Sequence, residues 1–372
     1  MTRTRVLTGI DLPVAPSCGS MILVDDTYAA MADRVHSTFL GMRPIENGWH
    51  SFDRLIALDT AKRSYGPDYG RYVDELTAEV RELVRQHEPH VIHAQHLGFG
   101  LAPALVRAAD RVPVISIAHG TDVIAADESE QARQALTEVI AGSAAVVAPN
   151  ATLADHIDKL TDHRYSDRLT IIPWGIPLGQ ALVRHRPQET VAGPLNLLHA
   201  GRLDTNKNTV TAIEALAVAG QRHRLTIIGS GPEEEALRER AQHLGVQDRV
   251  RFVPFMPRQE LWRRFDEFDA FVFTTSGLEA FGLVAIEAQA HGLPVAYSNV
   301  AGLAETLGQA GTTYTAGDPV SLAAALDELA RDAHWRGALV RAGLDNARRY
   351  DIAYTAGQLA DLTDKVASAA LA

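Results

Sequence analysis

The stretch Thr274–Gly292, TTSGLEAFGLVAIEAQAHG, decides the fold of this chain. The apolar run Ala270–Thr274 leads into it and predicts a buried strand, while Leu283–His291 predicts a helix. A short loop that contains Gly277 joins the two. A buried strand that passes through a short loop into a helix is typical of βαβ units, which build parallel sheets.

The same strand–helix alternation occurs in two series along the chain, with the second series beginning near Leu195. Since each doubly wound series forms its own ordered sheet, we predict an α/β protein with two Rossmann-like domains. The predicted strands are Val6–Ile10, Val91–Ala94, Val114–Ala118, Ala145–Ala148, Leu195–His199, Leu225–Ile228, Val250–Val253, Ala270–Thr274 and Pro294–Ala296. The predicted helices include Asp68–His87, Thr209–Gly220, Glu233–Leu244, Gln259–Phe265, Leu283–His291 and Ser321–Leu329.

The boundary between the two series falls in Ile176–Pro194, which is rich in proline and has no sustained period. We therefore assign residues 1–178 to an N-terminal domain and residues 179–351 to a C-terminal domain. The last helix, within residues 352–372, follows a second series that is already complete, so we expect it to return to the first domain.

Composition and charge narrow the classes of function. The chain has 372 residues, of which 46 are acidic and 35 are basic. The resulting net charge of −11 argues against a nucleic-acid partner, because nucleic-acid-binding proteins usually carry an excess of basic residues. One cysteine, Cys18, rules out an internal disulfide and fits a cytoplasmic protein. We find no secretory signal and no apolar run near the ~20 residues of a membrane span, so no stable membrane association is expected.

Two glutamates mark a candidate ligand site in the opening stretch. Glu279 lies in the loop after the strand, and Glu287 lies in the second turn of an otherwise apolar helix that opens at Gly282 and Leu283. Ligands of open α/β sheets bind beyond the carboxyl ends of the strands, and helix N-termini attract anions. Glu279 alone also has a simpler explanation, because acidic residues favour the first turn of a helix. A carboxylate at Glu287 requires polar partners, which ligand hydroxyls would supply.

Two further loops in the second series have the chemistry of a phosphate site. The first contains Gly201, Arg202 and Lys207 after a predicted strand, and these two cations suit a phosphate, although a solvated loop is an equal alternative. The second contains Gly229 in a strand–Gly-x-Gly–helix turn, which allows close approach to the backbone. Since Glu234 occupies the third glycine position of the dinucleotide pattern, a dehydrogenase is disfavoured.

Together these motifs resemble those of the family 4 retaining glycosyltransferases. The resemblance covers nearly the whole chain and implies the GT-B fold, in which two Rossmann-like domains face each other across a cleft. It rests on the paired glutamates Glu279 and Glu287, the Gly201-Arg202-Leu203…Lys207 loop, the run Phe281-Gly282-Leu283, and Glu287-Ala288…Gly292-Leu293-Pro294-Val295. Two departures are Ala280, where the family usually has glycine, and Trp174-Gly175-Ile176-Pro177 in place of Asn-Gly-Val.

The resemblance implies roles for the motif residues. Glu287 would hold the ribose of a sugar nucleotide, and Glu279 would hold the transferred sugar near its anomeric carbon. Arg202 and Lys207 would bind the diphosphate. Backbone N–H groups of Phe281, Gly282 and Leu283 would bind the sugar and phosphate, with Gly201 and Gly229 in the surrounding loops.

The first domain contributes further residues to this resemblance. His119 matches a cleft histidine that touches the donor sugar near its C6 hydroxyl. Gly19 and Ser20 replace a two-glycine loop after the first strand and would offer backbone N–H groups to the diphosphate. Asp122 is better explained as a cap than as a catalytic group. For His93 and His96 a structural role is at least as good an explanation as an acceptor contact.

The expected reaction moves a sugar from a UDP- or GDP-linked donor to a small soluble acceptor, with natural-product or thiol biosynthesis as the candidate setting. The resemblance implies retention by a front-face mechanism, with a covalent intermediate at Glu279 less favoured. Arg202, Lys207 and the helix start would stabilise the leaving phosphate, so we expect no metal and no other cofactor. The alternatives are a transferase for glycolipid or polysaccharide precursors, an epimerase or phosphorylase of the same fold, and a non-enzymatic sugar-nucleotide sensor.

Overall fold

The computed structural model describes residues 3–180 and 193–371. The chain divides into two compact units, the first comprising Met1–Gly175 and Ile352–Ala372 and the second comprising Ile176–Asp351. The middle of the predicted linker, residues 181–192, lies outside the described residues. Each unit is built on its own parallel sheet.

The first unit contains a seven-stranded sheet in the order β3-β2-β1-β4-β5-β6-β7 within the described residues. Its strands are β1 Thr4–Val14, β2 Val35–Ile45, β3 Arg54–Ala57, β4 Val91–Gln95, β5 Val114–Ile117, β6 Ala145–Ala148 and β7 Leu169–Ile171. The helices between them are α1 Gly19–Ala30, α2 Tyr69–His87, α3 Leu101–Ala108, α4 Thr121–Glu128, α5 Glu130–Ala141 and α6 Ala151–Leu160.

The second unit repeats this architecture with a sheet in the order β10-β9-β8-β11-β12-β13. Its strands are β8 Asn196–Ala200, β9 Arg224–Ile228, β10 Val250–Val253, β11 Ala270–Phe273, β12 Val295–Ser298 and β13 Thr312–Tyr314. Its helices are α7 Val210–Val218, α8 Glu234–His243, α9 Arg258–Arg264, α10 Leu283–Ala290, α11 Leu303–Leu307, α12 Pro319–Arg331 and α13 Ala333–Ala347.

Packing follows from the apolar faces of these elements. Helix α2, for example, buries Tyr72, Leu76 and Val80 on one stripe and leaves its charged face to solvent. The central strands β4, β5 and β11 are buried along their whole length because helices cover both faces. In both sheets the strand order reverses beside the first strand, between β1 and β4 and between β8 and β11. Ligands of such sheets bind at the carboxyl ends of the strands at this switch point.

The C-terminal helix α14, Ile352–Leu371, belongs to the first unit. Arg34 donates hydrogen bonds to Asp361 at 2.7 Å and to Asp364 at 2.6 Å, which ties α14 to the start of β2. Thr363 on α14 contacts His93 on β4 at 3.0 Å. In the described part of the chain, no helix combines the length and apolarity that a membrane crossing requires.

Candidate active site

In the second unit, the loops that follow β8 and β11 meet at the switch point of the sheet. The carbonyl of Asn206 accepts hydrogen bonds from Ser276 N at 3.1 Å and Thr275 Oγ1 at 3.0 Å. In return, Thr274 Oγ1 donates to the carbonyl of Lys207 at 2.7 Å. These bonds join two loops that are about seventy residues apart in the sequence and fix the start of the Lys207 side chain.

This junction brings together two of the residues predicted from the sequence, Lys207 and Glu279. Lys207 Nζ lies 2.7 Å from Glu279 Oε2, and the two side chains are 24% and 14% exposed. The same ammonium lies 5.5 Å from the centroid of the Phe273 ring. A cation held between a carboxylate and an aromatic face is fixed in position before any ligand binds.

Arg202 occupies the same loop but remains open to solvent. Its Nε donates to Asp204 Oδ2 at 2.5 Å, while 71% of the Arg202 side chain is exposed. Asp204 Oδ1 also accepts from the backbone N–H of Lys207 at 3.1 Å, capping the short turn Thr205–Lys207. Asp204 therefore organises both predicted cations. This role of Asp204 was not predicted from the sequence, although an aspartate three residues before Lys207 is a capping signal.

Gly229 lets two glycine-containing loops touch backbone to backbone. A β-carbon at Gly229 would lie 1.8 Å from the carbonyl oxygen of Gly201, and the φ angle of Gly229 is +152°. The N–H of Leu203 donates to the carbonyl of Ser230 at 3.1 Å beside this contact. A side chain at Gly229 would separate the loops, so this glycine keeps the loops after β8 and β9 in close contact.

Gly282 forms the start of α10, with a φ angle of +80° that favours glycine. A β-carbon there would lie 2.8 Å from Leu303 Cδ2. Gly282 is followed by Leu283, and the first-turn N–H groups of α10 lack carbonyl partners within the helix. Phe281 is buried and packs edge-on against Tyr350 at 5.1 Å. The helix start is thereby held rigidly beside the Glu279 loop.

Glu287 lies in the second turn of α10 and is only 7% exposed. Its backbone carbonyl accepts a hydrogen bond from His291 Nδ1 at 2.7 Å. The glutamate side chain is thus a buried carboxyl group on the same helix whose N-terminus adjoins Glu279. A buried carboxylate needs polar partners to offset its loss of water.

His119, the predicted catalytic residue of the first unit, lies directly after β5 and is 5% exposed. Its Nε2 contacts Gln95 Oε1 at 2.9 Å, and burial lowers the pKa of the ring to about 3. The ring also packs at 5.5 Å from Trp174 and at 4.7 Å from His96. His119 is therefore a neutral imidazole at pH 7.

Asp122, in the first turn of α4, has a structural role in the first unit, as the sequence indicated. Its Oδ2 accepts from Leu97 N at 2.7 Å, and its carboxylate also accepts from His119 N at 3.2 Å. It therefore braces the loops after β4 and β5. Gly19 and Ser20 form the first turn of α1 at the end of the β1 loop, which puts both backbone N–H groups at a helix N-terminus.

Asp11, at the carboxyl edge of β1, was not identified from the sequence. Its carboxylate accepts from Gly100 N at 2.6 Å and Leu101 N at 3.2 Å, which caps α3. Lys62 lies 3.7 Å from the same carboxylate. Beside this group, His96 adopts a φ angle of +77°, which is strained for a residue with a side chain.

Two family models match this chain, one in each half of the sequence. Residues 184–345 match the family model described as glycosyl transferases group 1, and residues 38–180 match that described as glycosyltransferase family 4. A D-inositol 3-phosphate glycosyltransferase from Frankia alni is 32% identical over 320 residues, 78% of each chain. This chain belongs to the family 4 glycosyltransferases. The family predicted from the motifs is therefore confirmed, and the protein is a glycosyl-transferring enzyme.

Other relatives of this glycosyltransferase differ in their named activities. A glycogen synthase from Mycobacterium tuberculosis is 32% identical over 261 residues, which are 67% of this chain and 62% of that protein. Among solved structures, sucrose-phosphate synthase from Thermosynechococcus elongatus superposes with a TM-score of 0.81 at 20% identity, covering 99% of this chain and 100% of that one. Anabaena HepE in complex with UDP and glucose gives 0.77 at 18% identity, covering 98% and 100%. These likenesses confirm the two-domain Rossmann-like GT-B fold.

Proposed function

We propose that this glycosyltransferase moves a sugar from a UDP- or GDP-linked donor to a small polyol or sugar acceptor, with retention of anomeric configuration and without a metal. The observation that carries the proposal is the 2.7 Å contact between Lys207 and Glu279 beside the N-terminus of α10. This contact joins the cation of Lys207, which suits a leaving diphosphate, and the carboxylate of Glu279, which suits sugar hydroxyls.

The charge changes of the reaction explain why such a pair is useful. As the anomeric bond breaks, negative charge grows on the β-phosphate and positive charge on the sugar ring. Lys207 and the exposed Arg202 would stabilise the phosphate, while Glu279 would hold the sugar against it. The buried Glu287, eight positions after Glu279, would bind the ribose hydroxyls of the donor.

The relatives support the classes of donor and acceptor. Several of those similar to this chain are named D-inositol 3-phosphate glycosyltransferases, whose acceptor is a small phosphorylated polyol. HepE was solved with UDP-glucose, a donor of the proposed class. The relatives named glycogen synthase favour one specific alternative acceptor, a glycogen-like glucan chain.

Metal independence is proposed because the cations Arg202 and Lys207 and the helix N–H groups supply the positive charge that Mg²⁺ provides in other transferases. Turnover would then continue undiminished in excess chelator. A loss of turnover that added Mg²⁺ restores would contradict this part of the proposal.

The proposal is tested by incubating the protein with UDP- and GDP-sugars and a panel of acceptors: inositol, inositol phosphates, simple sugars and malto-oligosaccharides. We expect release of nucleoside diphosphate that depends on a small acceptor, with a product whose anomeric configuration, measured by NMR, equals that of the donor. Turnover confined to malto-oligosaccharides would favour the glucan alternative. Conversion of the donor to an isomeric sugar nucleotide without acceptor would identify an epimerase.

A further inference from the structure

A small pocket lies on one face of the first sheet, at the amino-terminal ends of β1, β2 and β3. In the parallel register of these strands, Arg5 pairs with His36 and Thr38 pairs with Arg54. Paired residues of neighbouring strands, and residues two apart on one strand, point to the same face of a sheet. We call this space the amino-edge pocket. It has a volume of about 210 Å³, and the side chains around it include Arg5, His36, Thr38, Arg54, Gln86 and His87.

The charged side chains around the amino-edge pocket are basic. Arg54 is exposed, and its Nη1 lies 3.4 Å from His87 Nδ1. Arg5 donates from Nε at 3.0 Å and from Nη2 at 2.7 Å to the backbone carbonyl of Glu88. Among residues 3–180 and 193–371, no carboxylate oxygen lies within 4.0 Å of either guanidinium. Other arginines of the first unit are paired with carboxylates at 2.6–2.9 Å, namely Arg34, Arg63 and Arg107.

The nearby acidic group and the end of helix α2 leave Arg54 unbalanced. Asp53 Oδ2 lies 3.2 Å from His36 Nδ1 and 4.0 Å from Arg3 Nη1, so its charge is already shared. Arg5 holds the carbonyl that ends α2, where the helix dipole is negative. Arg54 has no equivalent contact within the part of the chain that the structure describes.

Thr38 adds a hydroxyl group to the wall of the same pocket. This residue is 6% exposed, and its hydroxyl forms no hydrogen bond with any of the described residues. Buried polar groups normally have a hydrogen-bond partner. Since a hydroxyl can donate to an anionic oxygen, a bound anion would supply the partner that Thr38 lacks.

Two histidines near the arginines experience a positive potential. Burial and the neighbouring charge of Arg54 lower the pKa of His87. Burial and the charge of Arg5 lower the pKa of His90 in the same way. An anion beside His87 would act in the opposite direction, because an opposite charge favours the imidazolium form.

We propose that the amino-edge pocket binds a small oxyanion of the phosphate class, held by the Arg54 guanidinium and the Thr38 hydroxyl. A guanidinium can donate two parallel hydrogen bonds to the oxygens of a phosphate. The pocket suits one phosphoryl group, because drug-sized ligands occupy pockets of roughly 300–1,000 Å³. Inorganic phosphate and the phosphoryl group of a small metabolite share this chemistry. The pocket lies at the opposite edge of the first sheet from Asp11 and His119, and the inference does not depend on the proposed function.

The site is tested in the wild-type protein by titration with inorganic phosphate at constant ionic strength, with chloride as the balancing ion. NMR of ¹⁵N-labelled histidines gives the readout, and His87→Gln assigns the His87 signals. We expect a saturable response of His87 with a Kd of about 1 mM or tighter, together with a raised pKa of His87. The absence of a saturable response at His87 with inorganic phosphate and with a sugar phosphate would overturn the proposal.

The same titration with a sugar phosphate distinguishes the two sources of the phosphoryl group. Binding of the sugar phosphate at least as tight as that of inorganic phosphate identifies a phosphorylated metabolite as the ligand. Weaker binding of the sugar phosphate identifies the free ion, because the pocket then has no room for the attached sugar.

The role of Arg54 is tested with Arg54→Gln, which removes the charge from an exposed position and should leave the fold intact. We expect the Kd for phosphate, measured at His87, to rise at least about tenfold. The matched control is Arg85→Gln in the last turn of α2, because Arg85 pairs with Glu82 and lies outside the pocket. This control should keep the wild-type Kd. An unchanged Kd in Arg54→Gln, or the same loss of affinity in both variants, would contradict a specific site at Arg54.

Discussion

Lys207 and Glu279 lie 72 positions apart in the sequence, yet their charged groups form a 2.7 Å ion pair. The contact exists because β8 and β11 are neighbours in the sheet although β9 and β10 separate them along the chain. Both loops leave the carboxyl edge of the sheet at the point where the strand order reverses. The topology therefore assembles the pair, and the account of catalysis depends on it.

Replacing Lys207 with alanine should lower kcat about 10²–10³-fold, because the ammonium acts on charge that develops on the leaving phosphate. Lys207→Arg should retain more activity than alanine, since it keeps the charge with altered geometry. Steady-state release of nucleoside diphosphate measures both variants, and Lys159→Ala on α6 serves as a surface control. Normal kcat in Lys207→Ala would contradict the assignment.

Replacing Arg202 should lower activity while leaving the stability of the protein nearly unchanged. Its side chain is 71% exposed, so Arg202→Ala should change the free energy of unfolding by no more than about 0.5 kcal/mol. Turnover should nevertheless fall strongly, because the guanidinium would contact the diphosphate. Kinetics and chemical unfolding of the same preparation make the comparison. A destabilised variant with unchanged kinetics would show that Arg202 serves the fold alone.

Glu287→Gln should weaken nucleoside diphosphate binding by about tenfold, since hydrogen bonds to a charged group contribute roughly 1.5–3 kcal/mol. Its effect on kcat at saturating donor should be smaller, because ribose contacts are equal in the ground and transition states. Calorimetric titration gives the affinity, and Glu239→Gln on the exposed face of α8 makes the same charge change as a control. Equal affinities in both variants would remove Glu287 from the ribose site.

Gly229→Ala should destabilise the second unit by about 1–3 kcal/mol, because the new β-carbon meets the Gly201 carbonyl and the φ angle of +152° is unfavourable for alanine. The control is Gly337→Ala inside α13, where the nearest atom would lie 3.7 Å away. Because alanine favours a helix more than glycine does, Gly337→Ala should raise the free energy of unfolding by about 0.5–1 kcal/mol. Chemical denaturation compares the two, and equal effects would contradict the close contact of the loops.

The first unit should lose stability as the pH falls below about 6.5. Burial lowers the pKa of His93 to about 3. Between about pH 3 and pH 6.5, the His93 imidazole therefore binds a proton in the unfolded chain but stays neutral in the folded protein. The contribution of His93 to the free energy of unfolding is complete above about pH 6.5 and falls by about 1.4 kcal/mol for each pH unit below that value. His93→Gln should reduce the slope of unfolding free energy against pH by that amount. Identical slopes for the variant and the wild type would indicate that His93 titrates normally.

The elements that could be predicted from the sequence are those whose pattern lies within a few neighbouring residues. Strands β6 and β10 have the predicted bounds. The glutamates of the Glu279 loop and α10 were identified because a strand, a glycine loop and an apolar helix follow each other directly. Strands β2, β3, β7 and β13 were not predicted. In β2 the run VHSTFLGMRPI mixes small, polar and apolar residues without clean alternation, and in β13 only three residues pair.

The contacts that depend on distant residues could not be predicted. Thr363 and His93 are 270 positions apart, and nothing in either local sequence specifies their pairing. Asp204 carried a local capping signal, but its bond to Arg202 depends on loop geometry. Glu287 was recognised because a carboxylate inside an apolar helix is anomalous, whereas His93 and Gln95 lie in a short strand where a buried polar residue has many explanations.

The most direct test of the central claim is calorimetric titration of UDP-sugars and GDP-sugars into the wild-type protein, with Glu287→Ala measured in parallel. We expect one of these donor classes to bind with one molecule per chain, and Glu287→Ala to bind it at least about tenfold more weakly. Absence of binding by every donor, or equal affinity in the variant, would contradict it.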